Sequence, residues 1–482
     1  IYSSKQYRKK VTGMLAAIQH RGPDTEEVHR EGDLDAGVRA SELSDARGDG
    51  FARDSGIMVF FDGEIYNKRD DGVSDAGVAL DLYRKHGRTF SRHLQGVFGC
   101  AVYDGQDLIL ARDPVGVRPL YYGFMEDGAL CFASELKALT GIADQVHEVL
   151  PATTYSARYG VSGYETCLPE AGIPAELDDA VAALRRCVTE AVVRRLEDGA
   201  VGACLLSGGL DSSIIAAVAK EAGADMPLVT VGMKGAPDVE NAELMAEHLN
   251  MTHHVHYYTP EEIKESVPRA VRTLESFDED CVSGTISNLF ASAKAQEFTN
   301  CILSGEGGDE LFGGYHLLKD LDTQTERLKM MKRLIEVAYN TAVQRLDRAM
   351  MGNSINYRTP FIDSQVISFA LHLPVDWKIR SSGDAEPVEK WILREAFKDL
   401  LPEKIYRRRK LRFARGTGTD GVMDGAGDIP ISEDEFTEET RKTPAGYYLN
   451  SLKELWYYRI FKETFPSISF EKLVGRWDPG KV

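Results

Sequence analysis

The stretch Leu205-Leu206-Ser207-Gly208-Gly209-Leu210-Asp211-Ser212-Ser213 decides how the chain is read. The run before it, Val201-Gly202-Ala203-Cys204-Leu205-Leu206, has the apolar signature of a buried parallel strand. The run after it, Ile214-Ile215-Ala216-Ala217-Val218-Ala219-Lys220, reads as a helix packed on that strand. A glycine-rich turn between the two offers free backbone N–H groups and the positive end of a helix, and both attract phosphate. Ser207, Ser212 and Ser213 add hydroxyl donors. Asp211 would repel a phosphate on its own, so its presence calls for a divalent cation between the two anions. The G-x-x-x-x-G-K-[ST] spacing and its lysine are missing, which excludes a Walker loop.

The pattern S-G-G-x-D-S resembles the pyrophosphate loop of the ATP pyrophosphatases, which cleave ATP to AMP and pyrophosphate while activating a carboxylate or carbonyl. Downstream, strand and helix patterns alternate: Leu228–Met233 as strand, Asn241–Leu249 as helix, Thr252–Tyr258 as strand. That order predicts a doubly wound parallel sheet. His253, His254 and His256 lie on the last of these strands without an accompanying carboxylate or cysteine, and read as a polar strand end. Asn300-Cys301-Ile302-Leu303 then feeds a second glycine turn, Ser304-Gly305-Glu306-Gly307-Gly308-Asp309-Glu310. Strand C-termini in such a sheet line one crevice, so Asp309 is expected to meet Asp211 across Mg2+ and pyrophosphate.

A length of 482 residues calls for at least two domains, and 43% apolar with 27% charged residues is an ordinary globular composition. No run reads as a membrane span or signal peptide. The seven cysteines, including Cys167, lack zinc spacing and read as buried thiols of a cytoplasmic protein. A net charge of −18 argues against nucleic acid as a partner. One basic run, Arg407-Arg408-Arg409-Lys410-Leu411-Arg412, stands out, and near an ATP crevice it reads as neutralising phosphate. Gly416 to Asp428 reads as a mobile glycine- and aspartate-rich loop.

The first third alternates short strands with turns: Gly56–Phe61, Val97–Tyr103, Leu108–Arg112 and Leu130–Ser134, with helices at Gln6–His20 and Ala76–His86. A sheet sandwich covered by helices is expected. His20-Arg21-Gly22-Pro23-Asp24, Asp62-Gly63-Glu64-Ile65-Tyr66-Asn67, Ala111–Tyr122 and Phe132–Leu139 resemble the glutaminase domain of asparagine synthetases. There an N-terminal cysteine attacks the glutamine amide. The sequence begins Ile1-Tyr2-Ser3-Ser4. Either the gene lacks that cysteine or the sequence starts after it, and a protein of this sequence is expected not to use glutamine. The resemblance implies a glutamine site, vestigial or real, at Arg39, Gly63, Glu64 and Asp75. Asp62 stands where the family has an asparagine oxyanion donor, and its carboxylate opposes that role.

Leu150 to Glu176 lacks clean periodicity and carries Pro151, Pro169 and Pro174. The expected division is therefore domain 1–160, linker 161–176 and domain 177–482. Ser304–Tyr315, Arg358–Asp363 and Lys390–Glu395 also resemble asparagine synthetases, so the likeness spans nearly the whole chain. It implies an N-terminal Ntn-hydrolase-like sandwich with helices and a C-terminal doubly wound sheet of the adenine nucleotide alpha hydrolase kind.

The implied reaction adenylates a small-molecule carboxylate and passes ammonia, glutamine nitrogen or another amine to it. ATP lies on Leu206, Ser207, Gly208, Gly209, Asp211, Ser212, Val231, Ser304 and Gly305. Mg2+ sits on Asp211 and Asp309, while Lys410 and Glu306 act on charge and protons. Aspartate is the first candidate, although Ser283 stands where one branch has a substrate-gripping arginine. A β-lactam-synthetase-like cyclisation, a silent binding protein and a homodimer stay open, but Glu306 favours intermolecular amidation because β-lactam synthetases have tyrosine there.

Overall fold

The computed structural model describes residues 1–41, 50–67, 72–164, 172–381, 386–424, 429–438 and 442–477. The N-terminal part is built from β1 (Thr25–Glu31), β2 (Leu34–Ala40), β3 (Phe51–Asp54), β4 (Ile57–Ile65), β5 (Gly96–Tyr103), β6 (Leu108–Arg112), β7 (Tyr121–Phe124), β8 (Leu130–Ala133), β9 (Gln145–Glu148), β10 (Thr153–Ser156) and β11 (Gly160–Gly163). A six-stranded antiparallel sheet runs β11-β10-β6-β5-β4-β3, and the remaining strands form the β1-β2 and β8-β7-β9 ladders.

The pleat explains why β4 reads as an unbroken apolar run. Met58 and Phe60 point to one side, where they pack with Leu34, Leu120 and Leu130. Val59 and Phe61 point to the other, against Ala76, Ala79 and Tyr83. Those last residues belong to α2 (Asp75–His86), and α1 (Arg8–Ala17) precedes β1. Ser74 caps α2 by accepting from the Gly77 N–H at 3.1 Å.

The C-terminal part is a parallel sheet of β12 (Ala203–Leu205), β13 (Leu228–Gly232), β14 (His253–Tyr257), β15 (Cys301–Leu303) and β16 (Asn356–Arg358). Their order is β14-β13-β12-β15-β16. The chain winds outward in one direction from β12 and in the other from β15, so the topological switch falls between these two strands. The helices around it are α3 (Leu177–Leu196), α4 (Leu210–Glu221), α5 (Pro237–Leu249), α6 (Pro260–Leu274), α7 (Glu279–Ala295), α8 (Gly308–Phe312), α9 (Gln324–Val337) and α10 (Ala342–Met351). On the edge strand β14, His253 bonds Thr230 Oγ1 at 2.7 Å, while His254 and His256 stack on Phe298 and Phe290.

Two expectations need correction. The sheet continues through β11, past the expected linker start at 161. Three of its four residues are exposed and two are glycines, so no apolar alternation marks it. Within the expected linker, residues 165–171, with Cys167 and Pro169, lie outside the described residues. The segment from Gly416 is ordered: helices Phe413–Gly416 and Thr419–Met423 bury Gly416, Thr417 and Thr419. The Thr417 and Thr419 hydroxyls bond Ser287, on α7, at 3.1 and 2.9 Å. Residues 425–428 of that expected loop lie outside the described residues.

Buried charges join the two parts. Arg21 donates to Glu135 at 2.9 Å and to Asp347 at 2.8 Å, Arg118 to Asp347 at 3.0 Å, and Arg348 to Glu275 at 2.9 Å. Arg358 binds Glu64 at 2.9 Å and Asp198 at 2.6 Å. Burial disfavours the Asp347 carboxylate, but the surrounding arginines overcome this and hold its pKa down at about 2.

Candidate active site

The two glycine turns leave the carboxyl ends of β12 and β15, side by side at the switch point. Gly208 sits at φ +64°, and a Cβ there would lie 2.4 Å from the Ala242 backbone N, so only glycine allows this turn. Across the crevice, a Cβ on Gly308 would lie 2.7 Å from the Asp211 carboxyl carbon. The start of α8 can therefore close directly onto Asp211. Ser212 Oγ accepts from the Ser207 N–H at 3.1 Å and lies 2.9 Å from Ser207 Oγ, which holds the loop in a phosphate-sized curl.

Four charges meet here. Lys390 Nζ lies 2.5 Å from Asp211 Oδ2 and 2.6 Å from Asp309 Oδ1. Lys410 Nζ lies 2.5 Å from Asp309 Oδ2. Asp211 Oδ1 is buried without a hydrogen-bond partner. The environment splits the two acids. Burial dominates at Asp211 and raises its pKa against the pull of Lys390. At Asp309 burial is outweighed by Lys390 and Lys410, and the carboxyl is held below its ordinary range. Lys410 is held charged for the same reason, with Asp309 and Asp211 overcoming its burial.

A cavity of about 160 Å³ opens on this cluster. It brings together Leu206, Ser207, Asp211, Ser212, Val231, Ser304, Gly305, Glu306, Asp309 and Lys410 of the sequence-derived site. Gly209 borders an adjoining recess with Lys390 and Arg408, and Gly208 shapes the turn from behind. On the same cavity, Arg345 Nη2 binds both Glu306 oxygens, at 3.1 and 3.3 Å. Burial and the Glu306 and Asp309 charges push the neighbouring Glu310 up to about 7, and its Oε1 accepts from Tyr315.

Lys390, Arg345 and Glu310 carry no role in the sequence reading. Lys390 carried one signal, being in a recognisable segment, Lys390-Trp391-Ile392-Leu393-Arg394. Arg345 gave none, because it lies 39 residues from its partner Glu306.

The basic run is spent on acids. Arg408 pairs with Asp238 and Arg412 with Asp280. Arg409 pairs with Glu386 at 2.7 Å and Arg407 with Glu403 at 2.9 Å. Burial raises Asp238 and Asp280 to about 6 despite these arginines. Phosphate neutralisation by the whole run is thus narrowed: Lys410 reaches the paired carboxylates, while the other four cations answer acids of their own.

A second cavity, of about 220 Å³, lies in the N-terminal part and is bordered by Arg39, Asp62, Gly63, Glu64 and Asp75. Gly63 has φ +144°, and a Cβ there would lie 2.0 Å from the Val97 carbonyl oxygen. Arg39 is turned to the Leu15 carbonyl, at 2.9 Å, and to Glu26. Asp62 is taken by Arg21, Nη2 to Oδ2 at 3.0 Å. Glu64 reaches across to Arg358 and accepts from the Asn356 side chain at 2.6 Å.

The asparagine synthase family matches residues 183–335 and 319–429, and the glutamine amidotransferase domain matches residues 1–157. The chain belongs to the asparagine synthase family. It is 29% identical to the glutamine-hydrolysing asparagine synthetase of Zea mays, over 98% of this chain and 86% of that one. It is 30% identical to the nodule asparagine synthetase of Pisum sativum, over 97% and 85%. Among solved structures, the allosteric regulatory enzyme of purine biosynthesis gives a TM-score of 0.29 at 16% identity, over 53% of this chain and 63% of that one. NMN synthetase from Francisella tularensis also gives 0.29, at 13% identity, over 59% and 94%. Neither likeness carries weight at that score. Among the described residues no helix is long and apolar enough to cross a membrane.

Proposed function

We propose that this member of the asparagine synthase family forms an amide from a carboxylate through an acyl adenylate, with ATP as the activating substrate. The observation that carries the reading is the Asp211–Lys390–Asp309–Lys410 cluster on two glycine turns at the switch point, with one Asp211 oxygen left without a partner. The donor set fits Mg2+: the facing oxygens come from two carboxylates, and phosphate oxygens would complete the shell. Asp211 and Asp309 would hold the ion, which would supply charge stabilisation to the leaving pyrophosphate.

Adenine would rest against Leu206 and Val231, and the phosphates against Ser207 to Ser212. A carboxylate oxygen of the substrate bonds to the α-phosphorus, and the bond to the bridging oxygen breaks, so pyrophosphate leaves with the electron pair. Lys390 and Lys410 offset the charge that gathers on it. Ammonia then attacks the acyl carbon, Glu306 takes a proton from the incoming nitrogen, and AMP leaves. The nitrogen arrives as free ammonia or from glutamine at the second, N-terminal cavity. The reaction is assigned to the cytoplasm, a setting that suits the thiols of Cys100, Cys131 and Cys204, which form no disulfide.

Incubation with ATP, Mg2+, ammonium and aspartate should yield asparagine, AMP and pyrophosphate in equal amounts, read by mass spectrometry. ADP and orthophosphate in their place would refute the adenylate.

A further inference from the structure

A third cavity, of about 1040 Å³, opens between the two parts of the chain and far exceeds the 160 and 220 Å³ of the other two. Clefts of about 300–1,000 Å³ are the size that encloses a drug-sized molecule. Its N-terminal wall carries Ser91 and Arg92, from the turn Gly87–His93, and Tyr66. Its C-terminal wall carries Arg194 and Arg195, from the last turn of α3. No step of the proposed reaction uses any of these residues.

The wall has donors and positive charge left over. Arg194 and Arg195 both answer one carboxylate, Asp363, at 3.0 and 2.7 Å, so two cations meet one anion. Arg195 and Ser91 are buried, and neither the Arg195 Nε nor the Ser91 hydroxyl has a hydrogen-bond partner. Buried donors in folded proteins are almost all paired, and two orphans beside one cavity call for a polar partner within it. Arg92 is exposed and has no ion pair among the described residues. The other acids of the wall are already matched. Asp113 accepts from the Gly116 N–H at 2.7 Å and from the Val115 and Val117 N–H groups, and Glu336 lies 3.7 Å from Arg333. Ile335, Ile362, Ile367 and Tyr339 add apolar surface.

We propose that this cavity binds an organic anion, a phosphate or carboxylate carried on an apolar body, and that its occupancy tightens ATP at the glycine turns. The anionic head pairs with Arg92, Arg194 and the spare donors of Arg195 and Ser91, while the body lies on the isoleucines and Tyr339. The site stands on the cavity alone, and the coupling rests on the ATP reading above. Its route is short. The Arg195 guanidinium lies 4.6 Å over the Tyr66 ring, and the Arg195 carbonyl accepts from Arg358 Nη1 at 2.6 Å. The Tyr66 hydroxyl donates to Glu64 at 2.9 Å, and Glu64 accepts from Arg358 Nε at 2.9 Å. The Arg358 carbonyl accepts from the Ser304 N–H at 2.9 Å, and Ser304 opens the second glycine turn. A ligand that fixes Arg195 and Tyr66 fixes this chain of contacts, and ATP then meets a turn already ordered.

The test titrates the whole chain by calorimetry with 1-naphthyl phosphate, 1-naphthoate and orthophosphate, with no carboxylate substrate other than the probe and no ammonium present. One of the two naphthyl probes should bind at a single site, at least about tenfold more tightly than orthophosphate, which lacks the body. The tighter of the two identifies the head group. Arg92→Gln with Arg194→Gln should weaken that probe on the order of tenfold. Ser91→Ala should weaken it without lowering the melting temperature, since it removes a hydroxyl that has no partner in the free protein. A saturating probe should tighten ATP about fivefold, and saturating ATP should tighten the probe by the same factor. No saturable binding by either naphthyl probe, binding that the arginine pair does not affect, or competition between probe and ATP would overturn the proposal. If ATP fails to bind while the probe still depends on Arg92 and Arg194, the ATP reading falls and the site stands.

Discussion

Two sets of buried carboxylates run through this molecule, and they are treated in opposite ways. Around Asp347, at the junction of the two parts, each acid is matched: Arg21, Arg118 and Arg348 surround one carboxylate and hold it ionised. In the cavity between the two glycine turns the matching is incomplete. Asp211 has one lysine and an oxygen without a partner, and burial pushes its pKa up. A network that only joins domains is fully compensated by its own chain. A site that receives a charged ligand leaves part of its compensation to that ligand. The N-terminal pocket sides with the first kind, since Asp62 and Glu64 are spent on Arg21 and Arg358.

The contrast can be broken most forcefully at Asp347. Asp347→Ala leaves three arginines facing each other in the junction, and should cost about 3–5 kcal/mol in chemical denaturation. A loss under about 1 kcal/mol, the value of an exposed pair, would show that the junction is not a compensated buried network. Asp211→Asn should do the reverse: little change in melting temperature, and pyrophosphate release reduced on the order of 10²–10³-fold. Loss of stability without a specific loss of rate would erase the distinction between the regions.

Acid sharpens it further. The Asp347 pKa is depressed in the folded state to about 2. Its contribution is therefore complete above the ordinary Asp range near pH 4, and is lost as pH falls from about 4 toward 2. Denaturation free energy in the wild type should drop across that window, and the drop should be shallower in Asp347→Ala. Asp211 is raised, so its ionisation works against folding as pH rises past 4, and Asp211→Asn should relieve that slope rather than steepen the acid loss. The smallest effect is expected at Asp62, whose side chain is 27% exposed beside Arg21. Asp62→Asn should change stability by about 1 kcal/mol or less. A loss as large as that of Asp347→Ala would make Asp62 a full member of the junction.

Much of this was legible in the sequence because the relevant signals are local. The strand–helix order expected after residue 177 holds, and α3 opens that part with Asp178 and Asp179 in its first turn and Arg194 and Arg195 in its last. The strand-turn-helix units at Ser207 and Ser304 were readable because glycines, serines and carboxylates sit at fixed spacing. The β1–β2 hairpin was hidden by its charge: Glu26, Glu27, Arg30 and Glu31 leave little apolar alternation, and the ladder is held by its register from Thr25↔Ala40 to Glu31↔Leu34. Gly416 to Asp428 reads as a mobile loop by composition, yet within it Thr417 and Thr419 are buried against α7. Side-chain pairing was the least legible of all. Lys390 bridges Asp211 and Asp309, and Arg345 holds Glu306, through contacts that no spacing rule reaches.

The central claim is that the cavity between the two turns activates a carboxylate on the α-phosphorus of ATP. It is tested most directly by running the reaction with a substrate whose reacting carboxylate carries ¹⁸O, and weighing the nucleotide product. The account requires one labelled oxygen in AMP for each amide formed, with unlabelled pyrophosphate. Label in orthophosphate accompanied by ADP, or amide formed with unlabelled AMP, would contradict it.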